Sequence, residues 1–139
     1  MKLILEVSDI QIKAILQACD FMARLYMGQT EELRLIKSPN GLNDLIVYNQ
    51  IKKITHPELT PNSYYSICSE NIPDQARILM DIHDVIRHFL AWESQANSPE
   101  TRDWVKQIGV QYDTPVHLHE EPLPTIKRRI ISNENKKNK

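Results

Sequence analysis

The sequence predicts an α+β domain that is predominantly helical, with two long amphipathic helices and a small sheet made from N- and C-terminal strands. Three observations predict it. Ile12, Ile15, Leu16, Cys19, Met22 and Tyr26 recur at three- and four-residue steps, the spacing that gathers side chains into one stripe of an α-helix. Leu79, Ile82, Ile86, Phe89 and Leu90 do the same further along, extended around the cylinder by Ile78, Val85 and Trp92. Short alternating runs stand near both ends of the chain, at Lys2–Val7, Gly109–Asp113 and Val116–His119, and strict alternation is the mark of a half-buried strand.

Taken in order, Leu3, Leu5 and Val7 share one side of the first run, which ends at Ser8. Ser8 and Gln11 have the spacing of a capping box, so a short strand is expected to lead directly into the first long helix. Gly28 marks its break. Thr30–Ile36 is compatible with helix, Ser38-Pro39-Asn40-Gly41 signals a turn, and Leu42–Ile54 reads as a shorter helix followed by loop from Thr55 to Asn71. Pro73 suits a first helical turn, where its missing N–H has no intrahelical partner, and the second long helix is expected to continue to about Glu93. Ser98-Pro99-Glu100 caps a further short helix to Gln107, and Thr114-Pro115 joins the last two strands.

A length of 139 residues gives one domain a sizeable core without a structural metal or disulfides. The globular segment is assigned to residues 1–126 and a basic, disordered tail to 127–139. That tail carries Lys127, Arg128, Arg129, Lys136, Lys137 and Lys139 against Glu134, which leaves the body acidic although the whole chain is at −1. An acidic body argues against a DNA-binding surface. No apolar run approaches the roughly 18 residues that span a bilayer. Cys19 and Cys68 have no Cys-x-x-Cys spacing and read as thiols in a reducing compartment. The breadth of the second helix's apolar face favours a homo-oligomer.

Among groups that carry chemistry, Arg77, Asp81, Asp84 and His88 follow one another along the second helix, with Arg87 alongside. Their spacing allows local pairs, Arg77 with Asp81 and Asp84 with His88, on a solvated face. It also sets the planar donor fork of Arg87 beside the His88 imidazole, a combination suited to phosphate oxygens. Tyr64 and Tyr65, with Trp92, offer faces for nucleobases. Metal and nucleophilic chemistry fare worse. His117 and His119 alternate but need further ligands, and His83 and His88 are spaced off one helical face. Neither a His-Glu-x-x-His nor a Gly-x-Ser-x-Gly occurs. No catalytic residue, metal site or cofactor is assigned.

Ala23-Arg24-Leu25-Tyr26-Met27-Gly28-Gln29, Tyr65-Ser66-Ile67-Cys68-Ser69, and the helix Ala76-Arg77 through Asp81-Ile82, Val85-Ile86-Arg87-His88 and Leu90-Ala91-Trp92, followed by Glu121-Pro122-Leu123-Pro124, together resemble a family of small phage-encoded proteins. This group is similar to the viral anti-CBASS sponges, which bind and sequester cyclic dinucleotide alarm signals. The resemblance covers most of positions 1–126. It departs from the family pattern at Met22, Tyr26 and Tyr64-Tyr65-Ser66.

The resemblance implies a non-enzymatic, oligomeric immune-evasion protein of the host cytoplasm, dimeric or tetrameric, that holds a cyclic di- or trinucleotide such as cyclic GMP-AMP and engages neither DNA nor membrane. Carried over by position, it implies ligand contacts from Arg24, Gln29, Tyr65, Ser66, Arg77, Arg87 and His88, to which the aromatic loop adds Tyr64. Two alternatives stand beside it: a metal-assisted phosphodiesterase that uses the histidines with Asp81 or Asp84, and an interaction module that inhibits a host enzyme.

Overall fold

The computed structural model describes residues 4–36, 45–95 and 113–128. Its elements are α1 (Asp9–Tyr26), a 3-10 helix over Thr30–Leu35, α2 (Leu45–Thr55) and α3 (Asp74–Gln95). Helix is the only regular structure among the described residues.

α1 starts where local chemistry places it. The Ser8 hydroxyl accepts from the Gln11 backbone N–H at 3.2 Å, and the Gln11 side chain accepts from the Ser8 N–H at 2.8 Å, which satisfies two donors that a bare helix end leaves open. Its other end is a Schellman closure. The Gln29 N–H reaches the Arg24 carbonyl at 3.0 Å and the Gly28 N–H reaches Leu25 at 3.0 Å, with Gly28 at φ +84° as this motif requires. A Cβ at Gly28 would lie 2.5 Å from Leu59 Cδ1, so both backbone and space demand glycine.

α1 and α3 run antiparallel. Ile12 and Leu16 pack with Ile86 and Leu90, joined by Ile15, Ile82, Phe89 and Ile126. At the opposite end of the pair, Met27 packs with Ile72 and Ala76, flanked by Tyr26, Tyr65 and Ile67. The buried stripe of α1 is Ile12, Leu16, Cys19, Ala23 and Met27. Met22, expected inside, is 39 % exposed, and Ala23 is buried instead. Ala23, Ala76 and Ala91 are fully buried, and their small side chains let the neighbouring segments approach closely.

The expected sheet is absent among the described residues, and the α+β assignment is corrected to a helical one. The two ends fail to pair for different reasons. Ile4–Ser8 is extended, but Ile4 and Leu5 point to solvent at 94 % and 75 % exposure. In the Val116–His119 segment the backbone N–H groups of Leu118 and His119 donate to the two carboxylate oxygens of Asp81, at 2.9 and 3.1 Å. A side chain from α3 takes the donors that a neighbouring strand would have used. The expected short helix from Ser98, the strand residues 109–112 and most of the assigned tail lie outside the described residues. Arg128, placed in that tail, pairs with Glu93 at 2.8 Å and lies 3.8 Å from Asp9.

Residues 56–73 cross from α2 to α3 as a chain of turns. Several hydrogen bonds clip them to the helices. Lys52 donates to the Pro61 and Ser63 carbonyls at 2.9 and 3.0 Å, the Tyr65 N–H to the Met27 carbonyl at 2.9 Å, and Arg77 to the Ser69 carbonyl at 2.6 Å. No helix among the described residues is long and apolar enough to cross a membrane.

Candidate functional site

The C-terminal turn of α1 gathers the first group of candidate ligands. Arg24 Nε sits 2.9 Å from both carboxylate oxygens of Asp20, and Nη1 donates to Gln29 Oε1 at 3.0 Å, with Glu32 at 4.0 Å. Burial works against the guanidinium charge, but the hydrogen bond to Asp20 and the fields of Asp20, Glu32 and Tyr64 outweigh it and raise its pKa above the ordinary value. The Schellman closure fixes Gln29 one turn beyond Arg24, and Gln29 is buried, so its side chain holds the guanidinium on the flank away from Asp20.

The loop brings aromatic groups to the same end. Tyr64 is 56 % exposed and close enough to Arg24 for its phenol to act on the guanidinium. Tyr65 turns the other way. Its N–H is tied to Met27, its ring packs in the Met27–Ile72–Ala76 cluster, and its hydroxyl donates to the Glu58 carboxylate. That bond pulls the Glu58 carboxyl below the usual Glu range and pushes the Tyr65 phenol above the usual Tyr value. His56 Nε2 lies 3.1 Å from the Tyr26 carbonyl; a carbonyl only accepts, so Nε2 carries the hydrogen. Ser66 is exposed, and its Oγ accepts from the Cys68 N–H at 3.3 Å.

Arg77 faces the base of this loop. Nη1 pairs with Asp74 at 2.8 Å and Nη2 holds the Ser69 carbonyl, so its guanidinium already spans helix and loop. The local pairing expected for Arg77 with Asp81 gives way to these contacts because the Asp81 carboxylate is buried and engaged with Leu118 and His119.

Arg87 and His88 belong to a second group. About 15 Å of helix axis separates Arg77 from Arg87 at the α-helical rise, so the eight candidates do not converge on one point of a single chain. Arg87 Nη1 is 4.0 Å from Asp84 Oδ1, and the His88 ring meets Trp92 edge-on with centroids 6.2 Å apart. Trp92 is half exposed.

Three residues that sequence reasoning left out of the site join these two groups. Asp20, besides holding Arg24, lies 3.9 Å from His83 Nε2, and His83 Nδ1 lies 2.9 Å from Asp84 Oδ1. A polar seam therefore runs Gln29–Arg24–Asp20–His83–Asp84–Arg87 across the contact of α1 with α3. The step from Asp20 to Arg24 was legible as an i,i+4 pair. His83 was not, because its burial depends on where α1 lies.

The histidines expected to compete as metal ligands are used locally. His117 Nε2 is 2.6 Å from the Glu121 carbonyl and His119 Nδ1 accepts from the Glu121 N–H at 3.1 Å. Among the described residues no three His, Cys, Asp or Glu side chains are arranged to hold a metal ion. No family model matches the chain, and no curated protein or solved structure matches it either.

Proposed function

We propose that this chain is a phage immune-evasion protein, similar to the viral anti-CBASS sponges, that binds cyclic nucleotide second messengers such as cyclic GMP-AMP in the host cytoplasm and withholds them without cleavage. The observation that carries the reading is the end of α1, where Arg24 is held by Asp20 and Gln29 and the exposed Tyr64 is near enough to act on its charge. A dianionic ligand with two bases needs donors for phosphate oxygens and aromatic faces for stacking, and this turn offers both on a rigid support. Arg87 and His88 supply a second cationic position, and a homodimer or homotetramer brings copies of the two groups to one ligand. Because Asp20 and Asp84 already engage the arginines, a bound phosphate competes with carboxylates, and binding weakens steeply with salt.

Sequestration by mass action requires affinity in the nanomolar range, about −12 kcal/mol. Calorimetric titration of the purified chain with cyclic di- and trinucleotides and cyclic ADP-ribose isomers, followed by chromatography of the ligand recovered after heating, tests the reading. Tight binding with intact recovery supports it. Conversion of the ligand, abolished by a chelator, replaces it with a phosphodiesterase. Absence of binding across the panel leaves the host-enzyme interaction module.

A further inference from the structure

Among the described residues, which include all five histidines, His83 alone is a buried one, at 7 % exposure. It stands where α3 meets α1, between two carboxylates: Nδ1 lies 2.9 Å from Asp84 Oδ1 and Nε2 lies 3.9 Å from Asp20 Oδ1. A carboxylate only accepts, so Nδ1 carries a hydrogen in the bond to Asp84. A neutral ring then turns the Nε2 lone pair toward the negative Asp20, whereas a second proton turns the same approach into an ion pair. Imidazole is the side chain whose charge changes between about pH 5 and 8.

What decides between the two forms is the other cation on Asp20. Both of its oxygens are 2.9 Å from Arg24 Nε, so the guanidinium and a protonated His83 draw on one carboxylate. Further charges surround the pair. Arg24 is 4.0 Å from Glu32 and feels the Tyr64 phenol, and Arg87 lies 4.0 Å from Asp84. Asp81, on the same helix, is engaged by the Leu118 and His119 N–H groups. Along the seam the guanidinium groups of Arg24 and Arg87 thus face the carboxylates of Asp20, Glu32 and Asp84, an excess of negative charge that a protonated His83 balances.

We propose that His83 positions Arg24 through Asp20 and binds a proton when an anion draws the guanidinium off that carboxylate. The role rests on the reading of the α1 end as a phosphate site. As the guanidinium turns to a phosphate oxygen, Asp20 loses its cation, and a proton taken from the buffer onto His83 Nε2 replaces it. The imidazolium then holds Asp20 and Asp84 together across the contact of α1 with α3. Binding that takes up a proton strengthens as pH falls, by up to about tenfold per pH unit.

Two measurements test this, with circular dichroism checking that each variant keeps its helices. In the ligand-free protein, imidazole 15N shifts followed by NMR between about pH 5 and 8 report the His83 proton. Arg24→Met removes the cation, as a bound anion would, and is expected to move the His83 midpoint up by about one pH unit; Arg24→Lys is expected to return it toward wild type. Calorimetric titration with cyclic GMP-AMP at both ends of that pH range, in buffers of unequal ionisation enthalpy, reports proton uptake. Wild type is expected to take up a proton on binding and to bind more tightly at the lower pH. His83→Asn, whose amide still donates to Asp84, is expected to lose both the uptake and the pH dependence. An unmoved midpoint in Arg24→Met, binding by wild type without proton uptake, or uptake that persists in His83→Asn overturns the proposal. A moved midpoint with no cyclic GMP-AMP bound supports the coupling and counts against the nucleotide reading alone.

Discussion

Lys52 is 2 % exposed and places its Nζ 3.0 Å from the carbonyl oxygen of Ser63. The same ammonium donates to Pro61 at 2.9 Å and lies 3.8 Å from Glu31. A buried lysine of this kind is tolerated because its hydrogens are matched to oxygens and a carboxylate balances its charge. It anchors the first half of the loop that ends in Tyr64 and Tyr65.

Lys52→Met keeps the aliphatic stem and removes the donors, leaving two carbonyls and the Glu31 carboxylate without their cation. The expected cost is about 2 kcal/mol, read as a lower urea midpoint at an unchanged slope. Amide exchange at Tyr65 should accelerate more than exchange in the middle of α1. Equal acceleration at both places would show that Lys52 supports the whole fold and not the loop.

Asp81→Ala should release the segment that contains Leu118 and His119. Both backbone donors lose a charged acceptor, and hydrogen bonds to charged groups contribute about 1.5 to 3 kcal/mol. Limited proteolysis is the direct measurement: cleavage within 113–122 should become fast while α1 and α3 stay intact. Asp81→Asn retains one acceptor oxygen and should fall between the two.

These two residues also show where the sequence stops being readable. Ser8 with Gln11, Gly28 and Pro73 fixed element boundaries through chemistry within a few residues of themselves, so the ends of α1 and the start of α3 were legible. The loop expected from Thr55 to Asn71 was legible to within two residues, since turns fill 56–73. Lys52 looks like any solvated lysine until Pro61 and Ser63 fold back over it, and Asp81 reaches a backbone 37 and 38 residues away. The strands failed for the same reason: alternation reports which faces are apolar, not whether a neighbour arrives. In the site, Arg24 Nη1 donates to Gln29 Oε1 across the turn that closes α1, a contact set by that turn, whereas Arg77 and Arg87 are separated by the length of helix between them.

The hydrogen bond from Tyr65 to Glu58 makes stability depend on pH at both ends of the scale. Glu58 titrates lower in the folded chain than in the unfolded one, so its contribution is present above the ordinary Glu pKa and is lost as pH falls through the depressed value. Tyr65 titrates higher in the folded chain, so its contribution is present below the ordinary Tyr pKa and is lost as pH rises through the raised value. The bond therefore acts in full between about pH 4.3 and pH 10. Tyr65→Phe keeps the ring in its cluster and removes the hydroxyl. The stability difference between wild type and variant, followed by chemical denaturation, should be flat inside that window and shrink at either side of it.

Arg24 and Arg77 are both candidate phosphate ligands, but their surroundings give them different expected phenotypes. Arg77 bridges Asp74 and the Ser69 carbonyl, so Arg77→Ala unpins the start of α3 from the loop. It should lower the unfolding midpoint by about 1 to 2 kcal/mol even without ligand. Arg24 is held by side chains on its own helix and the turn after it, and its side chain is 40 % exposed. Arg24→Ala should therefore cost stability too, by about 1 kcal/mol for the acceptors of Asp20 and the buried Gln29 that it leaves behind, while loss of one charged hydrogen bond lowers cyclic nucleotide affinity by about 1.5 to 3 kcal/mol, roughly ten- to a hundredfold. Pairing calorimetric affinity with thermal unfolding of both variants separates the roles. An Arg24 variant with full affinity would remove this turn from the ligand site, whereas an Arg77 variant of full stability and reduced affinity would transfer the phosphate contact to the start of α3.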